Sequence, residues 1–103
     1  MDEQEKRVAE LQSKTEKTNY DFIQAELDAC FVAVDEGSRE LESGHLEIAH
    51  EDLQKAENGY KTVIGFVAEL GDDRQRSEIE KRWNDLRARL DALQSLFKEI
   101  APE

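Results

Sequence analysis

Three times along the chain, apolar or small residues recur at alternating spacings of four and three, and no stretch alternates with period two over a useful length. That spacing places them on one face of an α-helix and argues against half-buried strands. The first stripe passes through Tyr20, Ile23, Leu27, Cys30 or Phe31, Val34, Ser38 and Leu41. The second holds Ala49, Leu53, Ala56, Tyr60, Val63, Val67 and Leu70, and the third Ile79, Trp83, Leu86, Leu90, Leu93, Phe97 and Ile100. The only proline, Pro102, follows the last stripe, so no residue between them lacks the N–H that a helix interior needs. The expected fold is all-α: an antiparallel three-helix bundle with helices over about 20–42, 45–70 and 73–100.

Punctuation places the connections. Ser43-Gly44-His45 reads as a tight turn, with Gly44 free to take positive φ and close the first helix. Glu36-Gly37-Ser38 competes with it, but the stripe runs through from Val34 to Leu41. Gly71-Asp72-Asp73 closes the second helix and opens the third, where acidic residues suit a helix N-terminus. Gly59 lies inside the unbroken phase from Leu53 to Leu70. A helix-interior glycine costs about 1 kcal/mol relative to alanine, and here it permits a neighbouring helix to come close.

With 103 residues the chain suits one small domain. Residues 1–19 differ from the rest: Val8 and Leu11 are their only large apolar side chains, so they read as a solvated helical extension of the bundle at 20–101. The formal net charge is −11, from 25 acids against 14 bases. That excess would repel nucleic-acid phosphates and argues against such a partner. A single cysteine rules out an internal disulfide, no apolar run is long enough to insert in a membrane, and a basic–apolar leader is not seen at the start. The expected compartment is the cytoplasm.

Gly37, Gly44-His45-Leu46-Glu47-Ile48-Ala49, Leu53 and Ala56 together resemble one tetratricopeptide helix–turn–helix, whose small and bulky positions recur in that order. Ala33 stands where that repeat usually carries an aromatic. No second copy exists, so this is not a repeat array. One such hairpin plus a further helix is similar to the MIT (microtubule-interacting and trafficking) domain family, loosely from Phe31 to Phe97, with Tyr60 and Ile79 in keeping. The resemblance implies a small three-helix bundle whose surface grooves take helical or extended peptides along the second and third helices. No motif is specific enough to transfer individual residues.

Signs of catalysis are thin. Glu42 with His45, and Glu47 with His50, have the Glu-x-x-His spacing of di-iron bundles, but both pairs crowd one turn instead of facing each other from separate helices. No metal or cofactor is expected. His50 with Lys55 invites comparison with histidine phosphotransfer domains, yet Glu47, Glu51 and Asp52 would oppose an incoming phosphate. Cys30 and Trp83 sit on core stripes and read as packing residues. No phosphate cradle and no nucleophile paired with a base appears.

Partner contacts are better supported. Residues 1–42 hold twelve acids and five bases, whereas 72–103 are nearly balanced and arginine-rich. Arg82 and Arg89, one heptad apart, either pair with acids on the other helices or line a groove for an acidic peptide. Ile64 and Phe66 flank the second stripe on opposite sides. Phe22 and Val32 lie off the first stripe beside Ala25, Ala29 and Ala33, as a groove wall or dimer face. The function expected is therefore a non-enzymatic interaction module or small adaptor that binds a protein or peptide in an interhelical groove, using Phe22, Val32, Ile64, Phe66, Arg82 and Arg89. The alternatives are a structural homodimer paired through residues 1–19 and a phosphotransfer domain using His50.

Overall fold

In the computed structural model of the chain, which describes residues 3–100 and the side chains of residues 19–100, three helices follow one another. They are α1 (Glu3–Glu42), α2 (Leu46–Val67) and α3 (Asp73–Ile100). The helices form an antiparallel bundle, and no strand occurs among the described residues. α1 continues without a break through Gly37, so the competing turn is not used. It ends at Gly44, whose φ of 82° is open to a residue without Cβ. There the His45 N–H donates to the Glu40 carbonyl at 2.8 Å and the Gly44 N–H to the Leu41 carbonyl at 3.1 Å, a Schellman closure.

The second connection is built differently. α2 stops at Val67, short of the 45–70 span that its apolar stripe suggests. The N–H groups of Glu69 and Leu70 reach back three residues to Phe66 and Val67, both at 3.1 Å. This tight turn keeps Leu70 in the core (1% exposed) after the α-helix has ended. The Arg76 guanidinium then donates to the Leu70 carbonyl. Asp72 caps α3: its Oδ1 accepts from the Gln75 N–H at 3.0 Å, satisfying one of the first-turn donors that a helix leaves free.

The core follows the three stripes. Ile23, Leu27, Cys30, Val34 and Leu41 of α1 meet Ala49, Leu53, Ala56 and Val63 of α2 and Ile79, Leu86, Leu90 and Leu93 of α3. Two positions depart from the sequence reading. Ile100, at the end of the third stripe, is exposed at 46%, and Ala33, grouped with the outer residues of α1, is buried. Small residues let α1 and α2 come close. A Cβ added at Gly59 would collide with the Cys30 sulfur, and one at Gly37 would stand 3.3 Å from Asp52 Cβ and 3.2 Å from Leu93 Cδ2. α1 also runs past its neighbours, since Tyr20 already meets Glu78 in the second turn of α3.

Candidate interaction surfaces

The third helix is fastened by arginines. Arg82 donates to Asp28 at 2.6 Å and also to Gln24, and Arg89 lies 3.6 Å from Asp35. Both guanidinium groups also stand over the Phe31 ring, 5.4 and 5.0 Å from its centre. Each cation is attracted by the ring's quadrupole, the negative face of the π-system. Arg87 serves α2 in the same way. It makes two hydrogen bonds to Glu57, at 2.9 and 3.2 Å, and bonds Asp91 at 2.7 Å. These carboxylates hold the Arg87 pKa above its ordinary value. Arg82 and Arg89, candidates for gripping an acidic peptide, are thus engaged by α1, and a ligand carboxylate would have to displace Asp28 or Asp35.

Arg87 also lies over the Tyr60 ring at 4.8 Å, and Tyr60 stacks on Trp83 with ring centres 4.4 Å apart. The Trp83 indole N–H donates to the Tyr60 carbonyl at 3.1 Å, so its orientation is fixed. Trp83 is only half-buried. Its free side forms, with Ile64, Val67 and Ala68, the apolar wall of a groove of ≈ 330 Å³ between α2 and α3. Arg76, Glu80 and Asn84 supply the polar rim. The stripe had marked Trp83 as a core anchor; in the fold it both anchors and lines the groove.

The remaining candidates fall on other faces. Phe22 and Phe66 meet edge to face, 5.2 Å apart, where α1 passes the end of α2. Ile64 is 54% exposed on the opposite side of α2, so it shares no site with Phe66. Val32 is 57% exposed on the outer face of α1. The pairing role expected of residues 1–19 concerns side chains that, up to residue 18, lie outside those described.

The chemical candidates have these surroundings. His50 is exposed in a shallow hollow with Leu46, Glu47, Glu51 and Phe97, whose two carboxylates disfavour a phosphoryl anion. His45 bonds Glu40 at 2.6 Å. Burial, reinforced by Glu26, pushes the Cys30 thiol up to about 11, far from a reactive thiolate. Among the described residues no three of His, Cys, Asp and Glu come together to hold a metal, and no helix is long and apolar enough to cross a membrane. One group escaped the sequence reading. Asp52 is 5% exposed, and its Oδ2 has no hydrogen-bond partner.

Comparison of the chain with protein-family models, curated proteins and solved structures finds no match. The likeness to tetratricopeptide and MIT hairpins therefore rests on Gly44–Ala56 and the residues around it.

Proposed function

We propose that this chain is a non-enzymatic interaction module that binds a peptide segment of another protein in the groove between α2 and α3. The observation that carries this reading is the apolar wall of Ile64, Val67 and the free side of Trp83, held by the Tyr60 stack and open to solvent. Ordered aromatic surface beside an exposed aliphatic residue favours a large apolar anchor, because burying it releases water at little entropic cost to a ring already fixed. Arg76, Glu80 and Asn84 at the rim offer hydrogen bonds to the backbone of that segment. A helix presenting its apolar face, or an extended peptide presenting one large side chain, suits the groove. The MIT resemblance supports this placement, since that family receives peptides along its second and third helices.

Trp83 is the only tryptophan, so its fluorescence reports directly on the groove. A peptide library screened by that signal, together with co-purified proteins, supplies candidate ligands. Ile64→Asp places a charge on an exposed position, so the fold is expected to persist with unchanged circular dichroism. Ligands using the groove are expected to be lost from this variant. If Ile64→Asp keeps the same ligands at the same affinity, the groove is not the binding site.

A further inference from the structure

α1 carries a second stripe that its own bundle leaves exposed, apart from the edge where Phe22 meets Phe66. Phe22, Ala25, Ala29 and Val32 recur at spacings of three, four and three away from the core stripe, and all four are exposed. Ala29, with Ala33 and Gly59 beside it, helps form a shallow hollow of ≈ 350 Å³ between α1 and α2, which Glu26, Lys55, Asn58 and Thr62 also line. Followed upstream along the unbroken helix, the register of the outer stripe continues through Thr18, Thr15, Leu11 and Val8. The core register instead continues through Glu16 and Ser13. Beyond the bundle, the apolar residues thus follow the outer stripe.

Charge decides what can cover it. Between Asn19 and Ser38, α1 has five acids and no base, whereas residues 1–19 include Lys6, Arg7, Lys14 and Lys17. One flank of the outer stripe reads Arg7, Lys14, Asp21, Asp28 and Asp35 at heptad spacing, basic first and acidic after. A helix of this pattern is complementary to itself when reversed.

We infer that α1 pairs with α1 of a second copy as an antiparallel two-stranded coiled coil, its two-fold axis passing near residue 20. In this register Val8 lies level with Val32, Leu11 with Ala29, Thr15 with Ala25 and Thr18 with Phe22, so the larger residues Leu11 and Phe22 fall opposite small ones. On the flank, Arg7 comes within reach of Asp35, and Lys14 of Asp28, each two residues beyond the level position. Although Arg82 and Arg89 reach those aspartates, their side chains remain 69% and 61% exposed, leaving oxygens for a second cation. Asp21 meets its own copy at the axis, the one like-charge contact along that flank. A parallel pair lacks this match: it sets Lys14 against Asn19 and Asp21 against Glu26. The interface is separate from the α2–α3 groove.

Sedimentation equilibrium of the full chain over a wide concentration range tests the pairing. A reversible dimer is expected, and a monomer at every concentration overturns the inference. Arg7→Glu with Lys14→Glu is expected to weaken the dimer roughly tenfold, from ion pairs repeated across the two-fold; an unchanged dimer refutes the register. Leu11→Cys combined with Ala29→Cys is expected to give a covalent dimer on oxidation, while Leu11→Cys alone stays monomeric under denaturing conditions. If the single variant cross-links as well as the pair, the helices run parallel and the inference fails. Ile64→Asp is expected to dimerise like the parent, so loss of groove binding and loss of dimerisation are told apart.

Discussion

The seam between α1 and α2 and the seams that hold α3 are built on opposite principles. α1 and α2 approach through Cys30, Ala33, Gly37, Ala49, Ala56 and Gly59, positions with little or no side chain. α3 instead contributes Ile79, Leu86, Leu90 and Leu93, all buried, and is clamped outside by Arg82, Arg87 and Arg89 on aromatic rings and carboxylates. The first seam is intolerant of added volume, and the second of lost volume. The difference also separates the two proposed surfaces: bulky side chains and a stacked Trp83 leave an open apolar wall where α3 meets α2, whereas the face proposed for a second copy is the exposed side of α1 next to the small-residue seam.

Removing volume from α3 should do the most damage. Leu90→Ala truncates a side chain with no exposed surface, and its loss is expected to cost about 2–5 kcal/mol in urea unfolding, from lost transfer energy and the cavity left behind. Adding volume to the other seam should cost less and be repairable. Gly59→Ala is expected to destabilise by about 1–3 kcal/mol because its Cβ meets the Cys30 sulfur. Cys30→Ala should rescue it, since the nearest remaining atoms, Glu26 Oε2 at 3.6 Å and the Cβ at position 30 at 4.0 Å, are at ordinary contact distance. With the clash relieved, alanine's better helix propensity contributes in full. A double variant no more stable than Gly59→Ala alone would show that the close approach is limited by backbone, not by sulfur.

The clamps come next. Arg87→Ala leaves Glu57, only 17% exposed, with Gln94 as its remaining partner and uncovers one side of the Tyr60 ring. The expected loss is about 1–2 kcal/mol, between the values typical of exposed and buried ion pairs. It should be accompanied by a change in Trp83 fluorescence through the Tyr60 stack. A loss as large as that of Leu90→Ala would mean that the arginine ladder, and not aliphatic burial, holds α3 in place.

Much of this architecture is legible in the residues. The three stripes reveal the helices because burial on one face requires the 3.6-residue period, and Gly44 reveals the turn because only a residue without Cβ is at ease at positive φ. The sign of the pairing between α3 and its acidic neighbours is also legible from local charge. The partners are not: Arg82 with Asp28, Tyr60 with Trp83, and Phe22 with Phe66 are brought together by the relative register of helices far apart in sequence, which no local pattern encodes. Trp83 sits on a core stripe, yet stacking turns one side of it outward. Asp52 is the clearest miss. Next to Leu53 and among other acids, it reads as solvated surface, and it is buried because α1 presents Gly37 at the opposing position.

Asp52 also gives the smallest and most selective test of the tight seam. Burial raises its pKa above the ordinary 3.8, with Glu36, Glu40 and Glu51 adding to the rise and Lys55 opposing it. The folded chain therefore holds a proton at Asp52 over a pH range in which the unfolded chain has released it, and stability falls as pH increases through that range. Asp52→Asn keeps the shape and removes the charge, so at neutral pH it is expected to stabilise the protein by about 1 kcal/mol. The advantage should shrink on acidification and vanish below 3.8, where the parent's carboxyl is protonated in both states. Urea unfolding of parent and variant across pH measures this directly. A constant gap would trace the gain to neutral contacts, and no gap at any pH would mean that water reaches the carboxylate and the α1–α2 seam is looser at Gly37 than at Gly59.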